Sequence, residues 1–306
     1  MNSIRTMPRW PRSKPVIRHC REVFLVILFA LPQCAFPQSA AVERPAIWGI
    51  AKMTFLVSKY QVARDYYGRF LGFGEAFSYP SEQGTLLSFK VNDRQFLEFI
   101  EDPAASDKNR LVSVSLETEN VEQMRQFLKS KGLEVPDKTR TDGAGNEVLL
   151  MHDPSGNPIE FIEYKANSLH IKSKGGFLTE TRISRRIHHV GLFNAAIADN
   201  DPFYVGILNF KEFLRYPEDI SQAPTLLYLG MGDCIENIEY YSPNDRNFNH
   251  PCFLVDDMQE TVYTLKERRE NETLGHPTIG KGGRWILNLT NTDGTRVEFT
   301  EGHRVR

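Results

Sequence analysis

Phe70-Leu71-Gly72-Phe73, followed by Tyr79-Pro80, returns as Ile207-Leu208-Asn209-Phe210, followed by Tyr216-Pro217, at a constant offset of 137 residues. Thr85-Leu86-Leu87 returns as Thr225-Leu226-Leu227, and Gly156 with Glu160-Phe161 returns as Gly294 with Glu298-Phe299. Self-similarity on this scale identifies the two halves as duplicates, each burying the same pattern in the same way.

Each half is itself two modules. In the first half, Ile50 to Ser58 alternates like a half-buried strand, and a helix follows from Gln61 to Phe70, stopped by Gly72. Leu86 to Val91 and Gln95 to Ile100 flank the turn Asn92-Asp93. The second module repeats the order: strand Leu111 to Leu116, then a helix from Asn120 to Lys131 with Val121, Met124, Phe127 and Leu128 as its apolar stripe, then Val148 to Met151 and Ile159 to Tyr164. Residues 165–185 are polar, with Lys172-Ser173-Lys174-Gly175-Gly176, and read as a linker. Beyond it come strand Ile187 to Phe193, a short helix Pro202 to Leu208, and strands Thr225 to Met231 and Ile235 to Tyr241. Cys252 to Val255, a helix from Met258 to Arg269, and strands Trp285 to Leu289 and Arg296 to Thr300 complete the set.

A length of 306 residues suits about two domains, and 41% hydrophobic with 25% charged residues excludes a disordered chain. Arg5, Arg9, Arg12, Lys14, Arg18 and Arg21 precede the apolar run Val23 to Leu31, and Ser39 and Ala41 follow at a spacing that signal peptidase accepts. Residues 1–41 therefore read as a signal peptide, and the protein as exported, periplasmic or secreted. The apolar run is shorter than the roughly 20 residues that span a bilayer. An N-terminal membrane anchor is the alternative, and no stable membrane insertion is expected after cleavage. Leu31-Pro32-Gln33 lacks the small residue that precedes a lipidated cysteine such as Cys34 would be.

The whole chain has 37 basic and 39 acidic residues; the leader holds six basic and one acidic, leaving 31 against 38 and a formal charge of −7. That argues against a nucleic-acid partner, with homo-oligomerisation open. Cys20 and Cys34 leave with the leader; Cys234 and Cys252 remain, either bridged or as two buried thiols.

Three local signals sit in this frame: the opening strand Ile187-His188-His189-Val190-Gly191-Leu192, the run Phe253-Leu254-Val255-Asp256-Asp257-Met258 before a helix, and Asp293 to Glu298 at the end. In this order they resemble the vicinal-oxygen-chelate superfamily, which includes glyoxalase I, extradiol dioxygenases, bleomycin-resistance proteins and methylmalonyl-CoA epimerase. The resemblance covers residues 47 to 301. It implies an α+β fold of two tandem domains, each a pair of βαβββ modules forming an open cup-like barrel. The domains would be 42–164, without metal histidines, and 186–306, with a metal site.

Carried over residue by residue, the resemblance puts metal ligands at His189, Glu239, His250 and Glu298. Imidazole and carboxylate suit one divalent ion, Fe, Zn, Ni, Mn or Co. Adding 137 to Lys52 and Ser113 gives 189 and 250, so the first half lacks both histidines while keeping Glu98 and Glu160. A Lys52 ammonium paired with a carboxylate is expected where the ion would sit; snorkelling to solvent is the alternative. His188 points away from His189 in a regular strand and is expected at the surface. His152, His170, His276 and His303 carry no register argument.

The leading expectation is proton transfer of lyase or isomerase type on a small substrate with vicinal oxygens, with Glu298 or Glu239 moving the proton. One alternative is a ferrous extradiol-type ring-cleavage dioxygenase using His189, His250 and Glu298. Against it, Asn288 and Gly283 stand where that group carries a tyrosine and a histidine. The other alternative is a metal-free small-molecule binding protein of the bleomycin-resistance type. Tyr228, Arg284 and Trp285 are candidates for lining the substrate pocket.

Overall fold

Each half of the chain folds into one curled eight-stranded sheet in a computed structural model that describes residues 42–104, 110–194, 197–242, 249–269 and 274–305. The proposed leader, with Cys20 and Cys34, lies outside the described residues. Among these residues no helix is long and apolar enough to cross a membrane.

The first sheet contains β1 (Ile47–Val57), β2 (Gly74–Ser81), β3 (Gly84–Lys90), β4 (Phe96–Glu101), β5 (Leu111–Thr118), β6 (Arg140–Thr141), β7 (Glu147–His152) and β8 (Pro158–Glu163). Its order is β2-β3-β4-β1-β5-β8-β7-β6. The second contains β9 (Ile187–Phe193), β10 (Lys211–Tyr216), β11 (Leu226–Gly230), β12 (Asn237–Tyr241), β13 (His250–Val255), β14 (Thr278–Ile279), β15 (Trp285–Thr290) and β16 (Arg296–Glu301), in the same order. Each sheet is two βαβββ modules joined along an antiparallel seam, β1 with β5 or β9 with β13. Parallel partners β4, β8, β12 and β16 flank the seam. A parallel partner needs a crossover, which the helix after each module's first strand begins.

The four edge strands, β2, β6, β10 and β14, escape the sequence reading: β6 and β14 are two residues long, and β2, half-buried, and β10, mostly exposed, carry little apolar alternation. The helices follow the apolar stripes: Val121–Ser130 buries Val121, Met124, Phe127 and Leu128, and the Asn120 side chain accepts a hydrogen bond from the Gln123 backbone N–H. Tyr60–Ala63 widens into a π-type coil, Arg64–Phe70, which closes with Leu71 N donating to Tyr66 O at 2.9 Å. Pro202–Ile207 repeats this, with Leu208 N donating to Phe203 O at 2.9 Å.

Strand alternation sends Met53, Phe55, Phe99, Val114, Val190, Ile238, Phe253 and Phe299 into one apolar core shared by both halves. Each large apolar side chain there contributes about 1.5–3 kcal/mol. The Phe73 and Phe253 rings meet at 5.0 Å across the halves. Polar ties are reciprocal: Ser58 N and Oγ donate to Asp293 at 2.7 and 2.6 Å, and Tyr204 OH donates to Asp153 at 3.1 Å.

The linker is more than a connector. Ser168 caps a short helix, Leu169–Lys172, that inserts His170 into the first cup, and Lys90 Nζ bonds to Ser173 O behind it. Cys234 and Cys252 are both free thiols, Cys252 fully buried.

Candidate metal centre and its cavity

The strand face opposite the shared core is polar in both cups. In the second cup, Gly191 of β9 stands opposite both Glu239 of β12 and His250 of β13, while Cys252 stands opposite both His189 and Glu298. Residues in direct register share a face, so His189, Glu239, His250 and Glu298 converge, all buried. One donor atom from each lies within 4.8 Å of the others. His189 Nε2 is 3.4 Å from Glu239 Oε2 and 3.5 Å from Glu298 Oε1, and His250 Nε2 is 3.5 and 3.9 Å from the same two carboxylates.

Gly191 makes this packing feasible. A Cβ there would fall 2.0 Å from Cε1 of the His250 ring.

The four donors suit a divalent cation. His189 Nε2 and Glu239 Oε2 are buried without a hydrogen-bond partner, and such atoms are costly unless something occupies the space between them. Electrostatics point the same way. Burial lowers the His189 pKa, but Cys252, Glu239 and Glu298 raise it well above the usual imidazole value. Burial raises Glu239 and Glu298, yet His189, with Arg296 acting on Glu298, brings both below the usual carboxylate range. The cluster favours positive charge between its carboxylates.

A surrounding layer orients three of the four donors. Tyr228 OH donates to Glu239 Oε1 at 2.9 Å, and Arg296 Nη2 donates to Glu298 Oε2 at 2.6 Å. His188 Nδ1 lies 3.0 Å from His189 Nδ1, and Arg284 Nη1 donates to His188 Nε2 at 3.1 Å. Arginine can only donate, so His188 Nε2 is the acceptor of that bond. Burial pushes the His188 pKa down to about 3, in keeping with a neutral ring.

The cluster forms part of the wall of a cavity of about 630 Å³. Of the residues expected at the substrate, Tyr228 and Arg284 line it. Trp285 does not: it packs against the apolar core, because its neighbours Arg284 and Ile286 take the cavity side of the chain. His188 is a second correction. The β9–β13 register slips between Cys252 and Phe253, and this irregularity brings His188 to the cavity beside His189. Arg296, Lys281 and Arg304 also line it and were not foreseen. Arg296 had a signal, since it lies two residues before Glu298 and so on the same face. His152 and His276 are exposed, as is His303, 3.1 Å from Glu301.

The first cup repeats the register with other chemistry. Thr54 stands opposite both Glu98 and Ser113, and Ser115 opposite both Lys52 and Glu160. Lys52 Nζ sits 2.9 Å from Glu98, 3.5 Å from Glu160 and 3.2 Å from Tyr79 OH, as expected of an ammonium at the ion's place. His170 Nδ1 accepts from Asn146 Nδ2 at 2.9 Å, which leaves Nε2–H to donate to Glu98 at 3.1 Å.

Residues 49–161 match the Glyoxalase/Bleomycin resistance protein/Dioxygenase superfamily. No curated protein sequence matches the chain. Among solved structures it is similar to the 2,3-dioxygenase LapB from Pseudomonas sp. KL28, at 16% identity over 85% of this chain and 94% of that one, with a TM-score of 0.66. Homoprotocatechuate 2,3-dioxygenase from Arthrobacter globiformis gives 15%, 85%, 81% and 0.66 for the same quantities. The Brevibacterium fuscum enzyme of that name, in complex with 3,4-dihydroxyphenylacetate, gives 15%, 86%, 83% and 0.65. At these identities the likeness is one of fold.

Proposed function

We propose that this chain, whose residues 49–161 match the Glyoxalase/Bleomycin resistance protein/Dioxygenase superfamily and whose second half repeats their fold, is a divalent-metal enzyme acting on a small substrate with vicinal oxygens. The observation that carries the proposal is the fourfold convergence of His189, Glu239, His250 and Glu298. An ion held there would supply Lewis acidity and a template for two neighbouring substrate oxygens.

Proton transfer is the chemistry that Glu239 supports. The two carboxylates are unequal: both lie beside the histidines, but Glu298 is also ion-paired to Arg296, which holds it ionised as a ligand, whereas the outer oxygen of Glu239 accepts from the neutral Tyr228 phenol. Glu239 is therefore the better base for a proton on carbon next to a carbonyl, and Tyr228 would steady it in both protonation states. Proton removal and return by one carboxylate is lyase or isomerase chemistry.

The fold comparison supports a second reading, extradiol ring cleavage, with Glu239 not acting as a ligand. Each of the three quoted neighbours is a 2,3-dioxygenase matched over both halves. Asn288, opposite Glu298 in β15, accepts a hydrogen bond from Arg296 Nε at 2.6 Å and offers no proton-transfer group there.

Metal analysis of purified protein tests the proposal. About one equivalent is expected, lost in His189→Ala and in His250→Ala with folding retained. Iron, with oxygen uptake on a catechol, would favour ring cleavage; zinc or nickel, with solvent deuterium entering a hydroxyketone, would favour proton transfer. No uptake of any of these ions would sink the enzyme reading and leave a binding protein.

A further inference from the structure

The cavity mouth carries an imbalance of charge that the metal centre does not explain. Its lining has two carboxylates, Glu239 and Glu298, both turned into the donor cluster, against four cations, Lys281, Arg284, Arg296 and Arg304. Arg296 is committed to Glu298. The other three have no carboxylate within ion-pair distance among the described residues: Lys281 Nζ rests 4.3 Å from the Tyr216 ring centroid, and Arg284 Nη1 donates to His188 Nε2. The chain as a whole is acidic by two charges, so a basic mouth is a local feature.

The cations are presented by a built turn. Gly280 N donates to Arg284 O and Gly283 N to Gly280 O, both at 2.9 Å, closing a loop between β14 and β15 that carries Lys281 and Arg284. Gly283 takes a left-handed φ of 72° to make it. Val305 N donates to Gly283 O at 2.7 Å and lays Arg304 over the same turn. Apolar side chains, Phe213, Leu214 and Leu226, line the same cavity, Leu214 packing against the turn at Gly282.

We infer that the cavity takes a small oxyanion-bearing substrate, its negative group held by Lys281, Arg284 and Arg304 and its apolar body laid against Phe213 and Leu214. This deepens the proposed function by fixing the substrate's charge, and rests on it only in calling the ligand a substrate. Three unpaired cations around a low-dielectric wall raise the local concentration of anions and orient them on entry.

The test is calorimetric binding to chelator-treated full-length protein, where no ion can capture a carboxylate. The probes are benzoate, phenyl phosphate and the uncharged benzyl alcohol. Benzoate or phenyl phosphate should bind at least roughly tenfold tighter than benzyl alcohol, and Arg284→Gln and Arg304→Gln should each remove about tenfold of that, as charge-assisted hydrogen bonds do. The tighter of the two anions identifies carboxylate or phosphate as the source of charge. Equal binding of charged and neutral probes, or anion binding unchanged in both variants, overturns the inference. Metal analysis of the same preparation judges the proposed function separately: anion binding without metal uptake keeps this inference and sinks that function, and metal uptake without anion preference does the reverse.

Discussion

Gly191→Ala is expected to abolish metal binding while leaving the second half folded. The added Cβ would lie 2.0, 2.5 and 2.7 Å from Cε1, Nδ1 and Nε2 of His250, so the whole imidazole must move, and with it one of four donors. Loss of an orienting partner alone costs roughly 10–100-fold in affinity, and loss of a ligand should exceed that. Overpacking adds roughly 1–3 kcal/mol of destabilisation. The first half shows what resolves the clash: Thr54 occupies the place of Gly191, and Ser113 that of His250. A Gly191→Thr, His250→Ser double variant should therefore recover most of the stability lost in Gly191→Thr alone and still bind no metal, a strongly non-additive pair. Full metal occupancy in Gly191→Ala would show that His250 is not a ligand.

The same register explains which features were legible in the sequence. The duplication was readable from short matching runs at offsets of 137 to 140 residues, and Lys52 aligns with His189 at 137; the four donors were readable through the family resemblance that those runs frame. Edge strands β2, β6, β10 and β14 were not readable, since an edge that is short or only partly covered needs no apolar alternation. Trp285 was a failure of parity: Asn288 pairs with Glu298, so positions 284 and 286 share its side of the strand and 285 does not. His188 obeyed no parity, because a register irregularity between β9 and β13 overrides alternation there. The His170 plug lay beyond any local signal, as it joins a polar linker to Glu98, 72 residues earlier.

That plug bears on how the empty half is held together, and Lys52→Met should show it, with a loss of roughly 3–5 kcal/mol in chemical unfolding. The ammonium is buried between Glu98 and Glu160, and removing it leaves two carboxylates without their countercharge. Burial lowers the Lys52 pKa, but Glu160 and Glu98 raise it well above the usual lysine value. Burial raises Glu98, while Lys52 and His170 bring it down to about 2. Glu98 is thus depressed relative to the unfolded chain, where its value is about 4.3. Its stabilising contribution is present above about pH 4.3 and disappears as pH falls towards about 2, because the native state must then accept a proton it resists. Glu98→Gln should flatten the stability profile over that window, and in Lys52→Met the profile should turn the other way, with mild acid relieving the carboxylates. Lys52→Met combined with Glu98→Gln should cost less than Lys52→Met alone, since it removes one uncompensated charge. Unchanged stability in Lys52→Met would place its ammonium in solvent, and would leave the first cup without a cation where the second gathers its four donors.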